Sequence, residues 1–93
     1  MAPKELLFVS VIGRDQKGIV ARIATLLYRA GVNIEDISQK IMDKYFVMVM
    51  LVDMKEAKFS LETLCQKLQS LGKKLNLSIQ IQHENIFKMM HRL

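Results

Sequence analysis

The sequence predicts an α+β fold, a ferredoxin-like βαββαβ sandwich in which a four-stranded antiparallel sheet carries two helices on one face, followed by a short C-terminal helix. Three observations predict it. Leu6–Ile12 and Tyr45–Val52 are apolar on both faces, as strands in the middle of a sheet must be. Leu77-Ser78-Ile79-Gln80-Ile81-Gln82 alternates apolar and polar residues, the pattern of a strand with one buried face. Between these strands, two stretches repeat apolar residues at three and four, the period of a helix lying on a sheet.

In the first helical stretch, Gly18–Ala30, the stripe is Ile19, Ile23, Leu26, Leu27 and Ala30, widened by Val20 and Ala24, and Gly31 fits its C-terminal stop. Val32–Met42 reads as a strand of imperfect alternation. Val32 and Ile34 share one parity and Ile37, Gln39 and Ile41 the other, which predicts a bulge near Asp36. Asp43-Lys44 then turns the chain into Tyr45–Val52, although the pair lacks the Asn-Gly or Asp-Gly hairpin signal. Ser60 is the expected N-cap of a helix carrying Leu61, Leu64, Cys65, Leu68, Leu71 and Leu75. Gly72 lies inside that helix at a cost of about 1 kcal/mol relative to Ala. Asn85 is the expected cap of a tail helix through Ile86, Phe87, Met89 and Met90 that covers exposed sheet. The expectation is one domain over residues 1–93, with a core at 5–84, a tail at 85–93, and the second and fourth strands at the sheet edges. A faint internal echo sets Gly31-Val32-Asn33-Ile34 against Lys74-Leu75-Asn76-Leu77.

The chain has 93 residues, 51% of them hydrophobic and 25% charged, which places it with globular proteins and near the lower end of sizes that bury a self-sufficient core. Pairing with a second copy would relieve that shortage. The net charge is +5, but no cationic run is longer than Lys73-Lys74, so the charge reads as a solvated surface. Cys65 has no cysteine to pair with and sits among leucines at helical spacing, which reads as a buried thiol in a reducing cytoplasm. Leu6–Ile12 is too short for a membrane span and lacks a cleavage pattern behind it. His83 and His91 are too far apart for a local pair and CxxC is absent, so no metal and no cofactor are expected. Met48, Met50, Met89 and Met90 read as adaptable packing.

The most informative segment is Gly13-Arg14-Asp15-Gln16-Lys17-Gly18-Ile19-Val20-Ala21, a strand end, a polar bend and a helix start. The first N–H groups of a helix have no partner within it, so they can hold a carboxylate at the positive end of the dipole. This segment, with Gly31-Val32-Asn33-Ile34 thirteen residues beyond Gly18, resembles the ACT domain, a regulatory amino-acid-binding module, over residues 5–84. Asp36-Ile37-Ser38-Gln39 and Asn85-Ile86-Phe87 resemble the small stand-alone prokaryotic members, and Gly-Ile-Val also resembles the regulatory domains of glycine-cleavage regulators and formyltetrahydrofolate deformylase.

The resemblance implies a non-catalytic homodimer, with stacking to a tetramer left open, and a free amino acid bound where two copies meet. Carried over by position, its contacts are Asp15, Gln16, Lys17, Gly18 and Ile19 of one copy and Asn33 of the other, and glycine or serine is the implied ligand. Many ACT domains carry proline where this chain has Lys17, which leaves the bend less preorganised. Asp15 can alternatively serve as a helix N-cap, and Asn33 can satisfy turn backbone.

Two other functions share the βαββαβ order. An acylphosphatase-like hydrolase would use Arg22, four residues after Gly18, but the neighbouring motifs of that family are missing and Asp15 repels phosphate. An RRM-like nucleic-acid binder would stack bases on Phe8, Tyr45 and Phe46, without the glycine-aromatic character of its third strand.

Overall fold

In the computed structural model, which describes residues 3–84, the elements run β1 (Leu6–Arg14), α1 (Ile19–Arg29), β2 (Asn33–Met42), β3 (Tyr45–Asp53), α2 (Leu61–Leu75) and β4 (Leu77–His83). The predicted tail helix lies outside the described residues. The strands form one antiparallel sheet in the order β2-β3-β1-β4, so the two strands apolar on both faces occupy its centre. One face bears Leu7, Val9 and Val11 opposite Val52, Met50 and Met48, all fully buried. Ile79 of β4 continues this layer beside Val11. Ile19, Ile23 and Leu27 of α1 and Leu64 and Leu68 of α2 close over it. Both helices therefore cover the same side of the sheet. Cys65 is half-buried and Leu61 is exposed, so the buried stripe of α2 is narrower than its apolar sequence.

The parity change along β2 has the expected cause. The register jumps between Ile34 and Asp36, making Glu35 the extra residue, one position before the predicted site. The jump returns Ile37 to the inner face, opposite Met50. At the β2–β3 turn, Asp43 takes a positive φ of 57°, a conformation its short polar side chain tolerates, and this replaces the missing glycine.

The helix ends follow from local chemistry. Gly31, at φ 75°, donates to the Tyr28 carbonyl while Val32 donates to that of Leu27, a Schellman closure in which Val32 and Leu27 are both buried. The Ser60 side chain accepts from the Thr63 N–H at 3.2 Å, as an N-cap should. Asn76 ends α2 in the left-handed region, at φ 58°. Gly31 and Asn76 are thus the equivalent positions in the two halves, and the echo that aligned Asn33 with Asn76 is two residues out of register.

Gly72 is where the end of α2 crosses β4. A Cβ there would stand 2.9 Å from the Leu77 carbonyl oxygen, a backbone atom with little room to yield, and 3.3 Å from the Ile79 side chain at Cγ1. Gly72→Ala should therefore lower the urea midpoint by the equivalent of about 1–3 kcal/mol, despite a helix-propensity gain of about 1 kcal/mol. A raised midpoint would show that the crossing has slack.

Candidate functional site

β1 runs two residues further than its apolar pattern, through Gly13 and Arg14, because Arg14 still pairs with Tyr45. At Gly13 a Cβ would meet Leu77 Cδ2 at 2.5 Å. The bend is therefore only Asp15-Gln16-Lys17-Gly18, all exposed. It is tied at two points. The Asp15 N–H donates to the Lys44 carbonyl at 2.9 Å, joining the bend to the β2–β3 turn. Gln16 Nε2 donates to the Leu75 carbonyl at 2.7 Å, joining it to the last turn of α2.

Gly18 is the N-cap of α1, at φ 84° and ψ 7°, with nothing within 4 Å of where a Cβ would be. Asp15 is therefore not the cap. The cap supplies no side-chain acceptor, and the first turn of α1 contains no acidic residue. The leading N–H groups of α1, beginning at buried Ile19, thus form an anion-favouring terminus bordered by open space. Asp15 and Lys17 belong to the same short exposed bend.

Asn33 lies elsewhere. It begins β2 opposite Asp53, whereas the bend adjoins the turn that ends β2, ten residues along the strand. Within one copy the four bend residues and Ile19 at the start of α1 are contiguous, and Asn33 does not join them. Asn33 borders a small cavity of about 230 Å³ whose lining includes Lys4, Glu35 and Asp53. Its Nδ2 donates to Glu35 Oε2, and Lys4 pairs with Glu35 Oε1. The Lys4 hydrogen bond and that of Asn33 hold the Glu35 carboxyl below its usual pKa, and Glu35 raises that of Lys4 in return.

Asp53 is buried, and its Oδ1 accepts from the N–H groups of Lys55 and Glu5, each at 3.0 Å. These bonds, led by that of Lys55, hold its carboxyl below the usual range. Sequence reasoning missed Lys4, Glu35 and Asp53. A signal existed for Asp53, the charge that closes the longest apolar run; Lys4 is 31 residues from Glu35 and left none.

The competing readings fare less well in this geometry. Arg22 lines the cleft between α1 and α2. Phe46, one of the three aromatics a base would need, is buried beneath the helices.

Residues 5–82 match the family model of the ACT domain. This chain belongs to the ACT domain family. A UPF0237 protein of Methanocaldococcus jannaschii is 51% identical over 85 residues, spanning 91% of this chain and 94% of that protein. An ACT domain protein from Streptococcus pneumoniae superposes with a TM-score of 0.79 at 34% identity, covering 92% of this chain and 97% of its own. A candidate glycine cleavage system transcriptional repressor gives 0.72 at 25% identity over 87% of this chain and 46% of its own. Formyltetrahydrofolate deformylase from Burkholderia mallei gives 0.75 at 13% identity over 85% of this chain and 28% of its own, a likeness of fold. ACT domains are generally regulatory ligand-binding modules. No described helix of this ACT domain is long and apolar enough to cross a membrane.

Because the folded pKa of Asp53 is depressed, its ionised form stabilises the fold above the unfolded value near 3.9, and that contribution is lost as pH falls through the lower folded value. Asp53→Ala should melt below the wild type at pH 7, with the gap narrowing below about pH 4. Melting curves from pH 3 to pH 7 check this, and a gap independent of pH would sink it.

Proposed function

We propose that this ACT domain is a non-catalytic cytoplasmic regulator that pairs with a second copy along β2 and holds a free amino acid at each of two equivalent sites. One observation carries the reading: the bend and Asn33 lie at opposite ends of the same edge strand. Antiparallel pairing of β2 with β2 of a second copy, about a two-fold axis, sets the start of one strand beside the end of the other. Asn33 of the partner subunit then stands at the end of the sheet that carries Asp15–Ile19. Neither half is complete alone.

The edge itself favours such pairing. β2 is ten residues long and leaves Ile37, Ile41 and Met42 at 40%, 58% and 54% exposure, a surface that a neighbouring strand would reduce. In the proposed site the ligand carboxylate accepts from N–H groups at the start of α1, which Gly18 leaves open to close approach. Its ammonium faces the Asp15 carboxylate and the side-chain oxygen of Asn33. Gln16 shapes the bend through Leu75, and Lys17 and Ile19 border the ligand. Glycine and serine are the first ligands to test, since Glu35 and Lys4 crowd the approach to Asn33.

A thermal-shift screen of free amino acids should raise the melting point, because ligand at one hundred times its dissociation constant adds about 2.7 kcal/mol. Asp15→Ala and Asn33→Ala should each abolish the shift. Mixing and refolding the two variants should restore about a quarter of the sites, since half of the random dimers are mixed and each holds one intact site. No shift from any amino acid counts against the ligand; no recovery on mixing counts against the shared site.

A further inference from the structure

The positive charge of the chain is concentrated on its helices. α1 and α2 carry Arg22, Arg29, Lys67, Lys73 and Lys74 against one acid, Glu62, a surplus of four within a net charge of +5. Between the helices runs an open cleft of about 960 Å³, on the side of α1 and α2 away from the sheet. Its apolar floor includes the half-buried Leu26 and Leu71. Ala21, Thr25 and Ser70 keep it wide because their side chains are short.

Four cations line this floor, Arg22 and Arg29 from α1 and Lys67 and Lys74 from α2. Each pair is seven residues apart, two helical turns or about 10 Å along the axis. The helices are antiparallel, with the start of α1 beside the end of α2 where Gln16 reaches Leu75. Arg22 therefore stands across from Lys74 and Arg29 across from Lys67, a rectangle of charge around an apolar strip. No carboxylate lines the cleft, and none of the four is ion-paired among the described residues.

We propose that this cleft docks an amphipathic helix of a different protein, one whose apolar stripe is flanked on both sides by Asp or Glu repeating every seven residues. The match is of period as well as sign. A helix laid between α1 and α2 presents residues at i and i+7 at the same spacing as the cations that flank it. The chain's own residues 85–93 are the wrong occupant, since they carry Lys88 and Arg92 and no acidic side chain. A second copy brings the same positive surplus. Single-stranded nucleic acid is disfavoured because the cleft offers one aromatic ring, Phe59, already covered by Lys67 Nζ at 4.8 Å from its centroid.

The test titrates the full chain with a synthetic helix of about 18 residues, leucine on one stripe and glutamate on both flanks, against the same peptide with glutamine for glutamate. The acidic peptide should bind, shift the amide resonances of Thr25 and Ser70, and lose affinity about tenfold both in R22E/K74E and between about 0.05 and 0.5 M salt. R29Q/K67Q, at the other end of the cleft, should weaken binding in the same direction while leaving amino-acid thermal shifts unchanged. Equal binding of the glutamine peptide, unaltered affinity in both variants, or displacement of the peptide by a lower concentration of oligouridylate would each overturn the proposal.

Discussion

The bend between β1 and α1 depends on two backbone carbonyls that belong to other elements. Lys44 receives the Asp15 N–H and Leu75 receives the Gln16 side chain, so four exposed residues are fixed to the β2–β3 turn and to the end of α2. This answers the absence of proline before Gly18. A proline would preset one φ angle, whereas these bonds restrain the segment from outside and align the opening of α1 with the end of β2. The bend is thereby preorganised by the sheet and the second helix together, and any change that moves the end of α2, such as crowding at Gly72, reaches the bend through Gln16.

Most of the fold was legible because its signals are local. Two-sided apolar runs marked β1 and β3, clean alternation marked β4, and the parity change between Ile34 and Ile37 located a bulge within one residue. The candidate site was legible in part: Gly18 and its neighbours announce themselves by helix-start chemistry. The partners of those residues do not. Gln16 is 59 residues from Leu75 and Asp53 is 48 from Glu5, and nothing in the spacing of either pair reports that the chain folds them together. The N-cap alternative for Asp15 failed for a related reason, since its N–H is drawn to Lys44 and the chain needs three more residues to turn into α1.

The two edges of the sheet differ in kind. β4 is seven residues long and turns Ser78, Gln80 and Gln82 away from the helices. β2 is longer, and exposes aliphatic side chains on the side nearest the helices, beyond the reach of α1. It also carries two features that limit promiscuous pairing: the bulge at Glu35, and Asp36, whose Oδ1 takes the Ile37 N–H at 2.8 Å. Such features leave fewer registers in which another strand can align. An edge that is apolar yet restricted in register suits one specific partner strand better than indiscriminate association.

Charge segregates along the same geometry. The acids Glu35 and Asp53 gather at the start of β2, while the cations gather on the outer surface of the helices. In the proposed assembly a ligand spans two copies at the edge strand, and α1 begins at that ligand and forms one wall of the cationic cleft. A ligand alters the affinity of a second site only through something that differs between the free and bound states at both. α1 is the element that joins the two places, because it begins at the bend and carries Arg22 and Arg29 along the cleft. A small tilt of that helix against α2 changes the width of the cleft by moving both cations together. The helix contacts that oppose such a tilt are few and small at the cleft, where Ala21 and Ser70 leave room, and strong beneath it, where Ile23, Leu27 and Leu68 are fully buried.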